Sequence, residues 1–218
     1  MASIGASLLI IAASEFYLLT IKQWDVQSSY GASTATTGAV LEHVNAIARY
    51  ASDFTTTTSG GNTLYVFTLP NNTPSGVIAM SKIDRTSATG SYIPQRASDG
   101  SLQFVDGPQV AFYLSDTTGS TSVTGGTILW RATAPAGTTT FTPDTLWSMA
   151  NTSVGRYPGI QSFTLSTAGQ PGNAVELKVT VQSTSGHNAK TYTTSRVLYM
   201  SSVVFGASLD TAPTSRIG

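Results

Sequence analysis

The side chains best suited to acid–base chemistry near neutral pH are the two histidines, His43 and His187. A catalytic histidine needs a nucleophile, a second titratable group or a metal ion beside it. His43 follows Glu42 on the polar side of a predicted helix, and His187 lies in a polar turn. We therefore interpret both as surface histidines and assign neither a catalytic role.

The motifs of common enzyme classes are missing from the chain. It has no cysteine, which excludes disulfides, thiolate zinc sites and thiol nucleophiles. No G-x-S-x-G, P-loop or G-x-G-x-x-G sequence occurs, so hydrolase and nucleotide-dependent chemistry have no motif support. The sequence predicts a protein that is not an enzyme and that needs no cofactor.

Calcium is the one metal for which the sequence offers ligands, from aspartates in predicted turns: Asp84, Asp99, Asp106 and Asp116. Their spacing is not that of an EF-hand. Two of them precede glycine, a common turn sequence, so a structural role already explains them. Calcium stays open as an alternative.

The three tryptophans are predicted to have different surroundings. Trp24 follows the apolar N-terminal stretch, a position typical of an interfacial anchor. Trp130 and Trp147 suit the core of a globular domain, and a carbohydrate-binding role for this pair has no further support in the sequence.

Charge and length limit the class of protein. Eleven basic and eleven acidic side chains balance, only 10% of residues are charged, and no tract is dense in Lys or Arg. The chain therefore lacks the electrostatic signature of a nucleic-acid-binding protein. Its 218 residues suffice for one globular domain with an additional element.

Residues 4–21 form an apolar stretch that contains one charge, Glu15. The uninterrupted apolar part, Met1 to Ala13, would rise only about 20 Å as a helix, short of the roughly 30 Å of a bilayer core. About eight further apolar residues upstream would complete a span, so we expect Met1 to be an internal methionine. The alternative is an amphipathic or buried helix of a soluble protein. In the anchor interpretation the membrane-embedded residues are Ile4, Leu8, Leu9, Ile10 and Ile11.

A second helical segment is predicted at residues 28–54 because apolar residues recur there every three or four positions. The face expected to pack on the globular domain carries Val40, Val44, Ile47 and Ala51. The opposite face carries Glu42, Asn45, Arg49 and Asp53. The helix is predicted to end near Phe54, before a run of Thr, Ser and Gly.

Residues 62–218 are predicted to form a β-rich domain, because their apolar runs are short and alternating. The runs lie at residues 64–69, 77–83, 109–115, 127–132, 160–166, 174–182 and 192–205. Residues 174–182 should form a hairpin with 192–205, with Val175, Leu177, Val179 and Val181 on the packed face. The predicted fold class is α+β: a long N-terminal helix, anchor at 1–27 and amphipathic half at 28–54, packed on an antiparallel β-rich head.

Two features carry a resemblance to a known family: the opening MASIGASLLIIAA and the succession VAFYLS, ILWRA, GIQSFTLS, VELKVTVQ and TTSRVLYMSSVVF. This order resembles minor pseudopilins of type II secretion systems and minor pilins of type IV pili, especially the J-type and W-type subunits. The resemblance implies a pilin-like fold and a prepilin leader that is cut upstream of Met1. It also implies a single-pass protein of the bacterial inner membrane, with its head in the periplasm or in an extracellular filament.

The function implied by this resemblance is that of a structural subunit at a filament tip. Its partners would be other minor and major pseudopilins or pilins, the inner membrane and a secreted cargo, with no nucleic acid. The alternative is a membrane-tethered binding or adhesion module that never enters a filament.

Overall fold

The computed structural model describes residues 2–71, 83–84, 93–94, 105–144, 157–183 and 190–200, with side chains in the N-terminal helix from Ala13 onward. Within these ranges a single helix is followed by strands. The elements are α1 (Ala2–Ala48), β1 (Asp53–Ser59), β2 (Asn62–Pro70), β3 (Ile83–Asp84), β4 (Ile93–Pro94), β5 (Asp106–Ser115), β6 (Ile128–Ala134), β7 (Thr142–Pro143), β8 (Ile160–Ser166), β9 (Ala174–Gln182) and β10 (Thr191–Tyr199).

Helix α1 is continuous through Gly31 and Gly38 and ends at Ala48. No proline interrupts its residues, and proline is the residue that most strongly breaks a helix. The predicted end near Phe54 is wrong by six residues. Backbone bonds from Tyr50 N to Ile47 O and from Ala51 N to Ala48 O, both 3.0 Å, tighten the chain after the last helical turn.

The Thr-rich run after the predicted end of the helix, for which no strand was predicted, forms strand β1. It pairs antiparallel with β2, from Asp53 opposite Thr68 to Ser59 opposite Asn62. Gly60 and Gly61, with φ of 55° and 86°, make the two-residue turn of this hairpin, and positive φ at both positions suits the twist of paired strands. Threonine is β-branched, so a pairing partner makes it a good strand residue.

The strands form two main antiparallel sheets. One has the order β1-β2-β5-β6-β7 and the other the order β10-β9-β8, with β3 and β4 as a separate two-residue pair. The predicted terminal hairpin is confirmed, since β10 pairs with β9 from Thr191 opposite Gln182 to Tyr199 opposite Ala174. The inward face predicted for β9 is also confirmed, because Val175, Leu177, Val179 and Val181 are buried.

The predicted fold class is wrong. We expected an α+β, pilin-like arrangement in which a long N-terminal helix packs on one antiparallel head. The described residues are instead mostly antiparallel β structure in two sheets, accompanied by one helix. The reason is that β2, β5 and β6 of the five-stranded sheet bury apolar side chains on both faces. Each face therefore needs its own cover, and one helix on one sheet cannot supply both.

The main core lies between the two sheets and the C-terminal part of α1. It joins Phe67 and Phe112 of the five-stranded sheet to Phe163 of β8, Leu177 of β9 and Val44 of α1. The other face of the five-stranded sheet has a second, smaller cluster. Its buried members are Leu64, Val66, Ala111, Tyr113, Trp130 and Ala132.

Candidate assembly surface on the N-terminal helix

Residues 13–28 of α1 are exposed apart from a half-buried Asp25, although many of them are large and apolar. Phe16 is 74% exposed and Trp24 is 72% exposed. The other exposed large apolar side chains of this part of the helix are Tyr17, Leu18, Leu19, Ile21 and Val26. Soluble monomers rarely leave so many neighbouring apolar side chains in water, so this segment is a candidate interaction surface.

The exposed apolar side chains surround the helix. Successive residues of an α-helix are rotated by about 100°, so the four consecutive residues 16–19 point in directions that together cover most of the circumference. A surface helix of a globular domain has one apolar stripe, whereas a helix that is apolar all round is normally enclosed by protein or lipid. The segment therefore suits an environment that surrounds it, and a single groove would cover only part of it.

The predicted anchor residues Ile4, Leu8, Leu9, Ile10 and Ile11 lie in the same helix, upstream of the residues whose side chains are described. Residues 2–28 together extend about 40 Å at about 1.5 Å per residue. Within the described ranges, no helix is both long enough and apolar enough to cross a bilayer.

The buried face of α1 begins at Ser29. Of the four residues predicted to pack on the domain, Val40, Val44 and Ala51 are fully buried, and Ile47 is half-buried against the main core. Ala51 lies beyond the end of the helix. The sequence interpretation missed the first part of the buried face, which consists of the small polar residues Ser29, Ser33 and Thr37.

These small polar residues allow the helix to approach β9 and β10 without large side chains between them. Thr37 Oγ1 donates a hydrogen bond of 2.7 Å to Ser33 O within the helix, which satisfies a buried hydroxyl locally. The Tyr30 ring contacts the Tyr192 ring of β10 edge to face, with centroids 5.4 Å apart. The transition from exposed to buried helix therefore falls at residues 28–30.

His43 connects the helix to the segment that precedes β8. Its Nδ1 atom is hydrogen-bonded to the hydroxyl of Tyr157, and the two ring centroids are 5.5 Å apart. Tyr157 is fully buried, and its carbonyl oxygen accepts a 3.1 Å hydrogen bond from Leu129 N. Sequence reasoning placed His43 on a polar surface and could not identify this partner, which lies 114 residues further along the chain.

The Tyr157 hydroxyl has a perturbed pKa. Burial and, to a smaller extent, the negative charge of Glu42 together raise the pKa of Tyr157 to about 12. Both effects disfavour the tyrosinate in the folded protein. The hydroxyl therefore stays protonated to a higher pH in the folded state than in the unfolded state.

This difference predicts a loss of stability at alkaline pH. The stabilisation linked to Tyr157 is complete below about pH 10, the pKa of the unfolded group. It is lost as the pH rises through the folded value of about 12, because the unfolded state then releases a proton that the folded state retains. We expect the free energy of unfolding of the wild-type protein to fall more steeply between pH 10 and pH 12 than that of Tyr157→Phe. Urea unfolding at several pH values measures this, and parallel curves for the two proteins would contradict it.

The residues considered as calcium ligands do not come together within the described part of the chain, where no group of three or more His, Cys, Asp or Glu side chains is placed to hold a metal ion. The Asp116 carboxylate accepts hydrogen bonds from Thr118, through the side-chain hydroxyl and the backbone N–H. The Thr118 hydroxyl is the main cause that lowers the pKa of Asp116. Asp106 begins β5 and Asp84 ends β3. Asp99 lies outside the described residues, as do His187 and Trp147.

The prediction that Trp130 lies in the core of the domain is confirmed, whereas the interfacial role of Trp24 stays a prediction. Trp130 is buried in the second cluster, and its indole N–H donates a 2.8 Å hydrogen bond to Asp116 O. Trp24 is exposed in the N-terminal part of α1.

Comparisons of the chain with protein-family models, with curated proteins and with solved structures give no match.

Proposed function

We propose that this protein is a structural subunit that assembles with other subunits through the exposed apolar segment of α1, residues 13–28. The observation that carries the proposal is the exposure of seven large apolar side chains in that segment, four of which, at residues 16–19, cover most of the circumference of the helix. Full burial of one such side chain contributes about 1.5–3 kcal/mol, so enclosing several of them provides a strong driving force for association.

The class of subunit proposed is a minor pseudopilin or minor pilin of a type II secretion pseudopilus or a type IV pilus. This part of the proposal rests on the sequence resemblance and on the exposed helix. The proposed partners are other minor and major subunits of the filament, and the proposed location is the bacterial inner membrane. The sheets would then lie in the periplasm or in the filament, where they would contact neighbouring subunits or cargo.

The proposed mechanism divides α1 into two parts. Residues from Ser29 onward hold the helix to β9 and β10, because Val40, Val44 and Ala48 are fully buried there. The preceding part makes few contacts within the chain and leaves its apolar side chains to equivalent helices of other subunits. The sheets can therefore keep their fold while residues 13–28 of α1 leave a lipid or detergent environment and pack against helices of other subunits.

The test is sedimentation of the full chain, purified in detergent and transferred to detergent-free buffer. We expect the wild-type chain to form oligomers, and we expect Leu18→Gln together with Leu19→Gln to weaken association by about 100-fold or more, because two apolar side chains lose their burial. Glutamine keeps the helix propensity high. Circular dichroism should show the same helix and strand content in both proteins.

A matched control places the same kind of change elsewhere. Val197 and Tyr199 of β10 are also exposed and apolar, at 36% and 56%, and Val197→Gln with Tyr199→Gln should leave oligomerisation unchanged. A monomeric wild-type chain, or equal weakening by the two double variants, would overturn the proposal. A membrane-tethered binding module that never enters a filament is expected to remain monomeric. The same experiment therefore distinguishes an assembling subunit from a tethered module.

A further inference from the structure

A cavity of about 520 Å³ lies on the second face of the five-stranded sheet, away from α1. Its walls come from the end of β1, the loop between β5 and β6 and the loop between β6 and β7. The lining residues are Thr57, Thr58, Ser59, Leu64, Thr121, Thr139, Thr140 and Phe141. The volume lies in the range of about 300–1,000 Å³ that is typical of small-molecule sites.

Six of these eight lining residues have a hydroxyl in the side chain and none has a charge; Thr58, between Thr57 and Ser59, contributes its backbone, because strand side chains alternate between faces. A hydroxyl both donates and accepts hydrogen bonds, so a cluster of hydroxyls matches a ligand whose own groups do both. A phosphate, carboxylate or ammonium ligand would lack a counter-charge at these walls, and an unpaired charge is costly to desolvate. The lining therefore selects for a neutral ligand rich in hydroxyl groups.

Several of the hydroxyls are available to a ligand. Within the described part of the chain, Thr57, Thr58, Thr139 and Thr140 make no side-chain hydrogen bond to another residue. Ser59 and Thr121 are 3.3 Å apart, hydroxyl to hydroxyl, and join the end of β1 to the opposite wall. The site thus combines one fixed pair of hydroxyls with those of Thr57, Thr139 and Thr140, whereas the Thr58 side chain lies on the other face of β1.

Phe141 and Leu64 supply the apolar part of the lining. Leu64 is buried in the second cluster, and Phe141 packs against that cluster while staying partly exposed. An aromatic ring beside hydroxyl groups suits a sugar ring, which has C–H groups on its face and hydroxyls around its edge. The apolar face can stack on the ring while the edge makes hydrogen bonds.

The wall that carries Thr121 is held in place by one buried and two partly buried hydrogen bonds. Tyr113 Oη donates to Gly119 O at 2.7 Å, Ser115 Oγ donates to Ser120 O at 2.8 Å, and the Trp130 indole donates to Asp116 O at 2.8 Å. These three side chains project from the sheet into the loop and fix its path. A wall that is already ordered loses less entropy when a ligand binds.

We propose that this cavity is a binding site for a neutral saccharide. The inference goes beyond the assembly function, because the cavity and the exposed segment of α1 share no residue. It gives the protein a second surface, through which a subunit held by α1 could contact a glycan. Either proposal can fail without the other.

The experiment uses the full chain in a detergent without a sugar headgroup, such as lauryldimethylamine oxide. Saturation-transfer NMR is recorded with maltotriose, cellotriose and N,N′,N″-triacetylchitotriose, and with the anionic sialyllactose for comparison. We expect at least one neutral trisaccharide to receive saturation from the protein, with a dissociation constant of about 1 mM, and sialyllactose to bind at least about tenfold more weakly. If none of the three neutral probes binds at a concentration 20-fold above the expected dissociation constant, the proposal is overturned.

Variants locate the binding. Thr57→Val with Ser59→Ala removes two hydroxyls from the lining and should weaken binding by about tenfold or more. Thr56→Val changes the same chemistry on the opposite face of β1 and should leave binding unchanged, since strand side chains alternate between faces. Phe141→Leu should weaken binding while keeping an apolar side chain in the second cluster. Equal binding by all the variants, with unchanged melting temperatures, would also overturn the proposal.

Discussion

Val44→Glu is expected to lower the free energy of unfolding by about 3–5 kcal/mol. Val44 is fully buried, and it belongs to the main cluster with residues of β8, β9 and β10. Glutamate would bring a carboxylate among these side chains with no basic partner in the cluster. The carboxylate must then either stay charged without compensation or take up a proton, and both cost stability.

The control for Val44→Glu is Ala46→Glu, two residues further along the helix and exposed. Glutamate is a good helix former, and its charge near the C-terminus of α1 should cost less than about 1 kcal/mol. Urea unfolding monitored by circular dichroism measures both values. If the two variants unfold at the same midpoint, the C-terminal part of α1 does not share a core with the sheets.

Gly126→Ala is expected to destabilise the protein by about 3 kcal/mol, because the new methyl group has no space. A Cβ atom at this position would lie 2.0 Å from the carbonyl carbon and 2.1 Å from the carbonyl oxygen of Ser115. These are backbone atoms in β5, so a side-chain rotation cannot relieve the overlap. The loop between β5 and β6 must therefore shift. Because this loop packs on Trp130, the packing of the second cluster is disturbed as well.

The matched control for Gly126→Ala is Gly172→Ala, in the turn before β9. A Cβ atom there would have no neighbour within 4 Å, and the change should cost less than about 0.5 kcal/mol. Thermal unfolding of the two variants compares them directly. Equal melting temperatures would mean that the loop approaches β5 less closely than the structure shows.

Local sequence was enough to predict several elements. Alternation of apolar and polar residues predicted β9, its inward-facing side chains and its hairpin with β10, because a strand with one wet face shows a period of two. The spacing of Val40 and Val44 predicted a helix with a buried stripe in the same way. In both cases the residues that determine the structure are close together in the chain.

Other features depended on partners far away in sequence. The Thr run of β1 has no apolar alternation, and it becomes a strand because β2 pairs with it after the Gly60–Gly61 turn. The polar stripe of Ser29, Ser33 and Thr37 escaped a search for apolar periodicity, although all three side chains are buried. The bond between His43 and Tyr157 and the close approach of Gly126 to Ser115 likewise join separate elements.

The sequence by itself determined the order of helix and strands, the apolar character of the N-terminal segment and the absence of motif-based chemistry. Only the tertiary structure decided that most of the strands form two sheets and that the buried face of α1 begins at Ser29. It also decided that hydroxyls from β1 and from two loops line one cavity. The physical reason is that periodicity reports which face of an element is apolar. It does not report which other element covers that face, because burial is non-directional and any apolar partner of suitable shape can provide it.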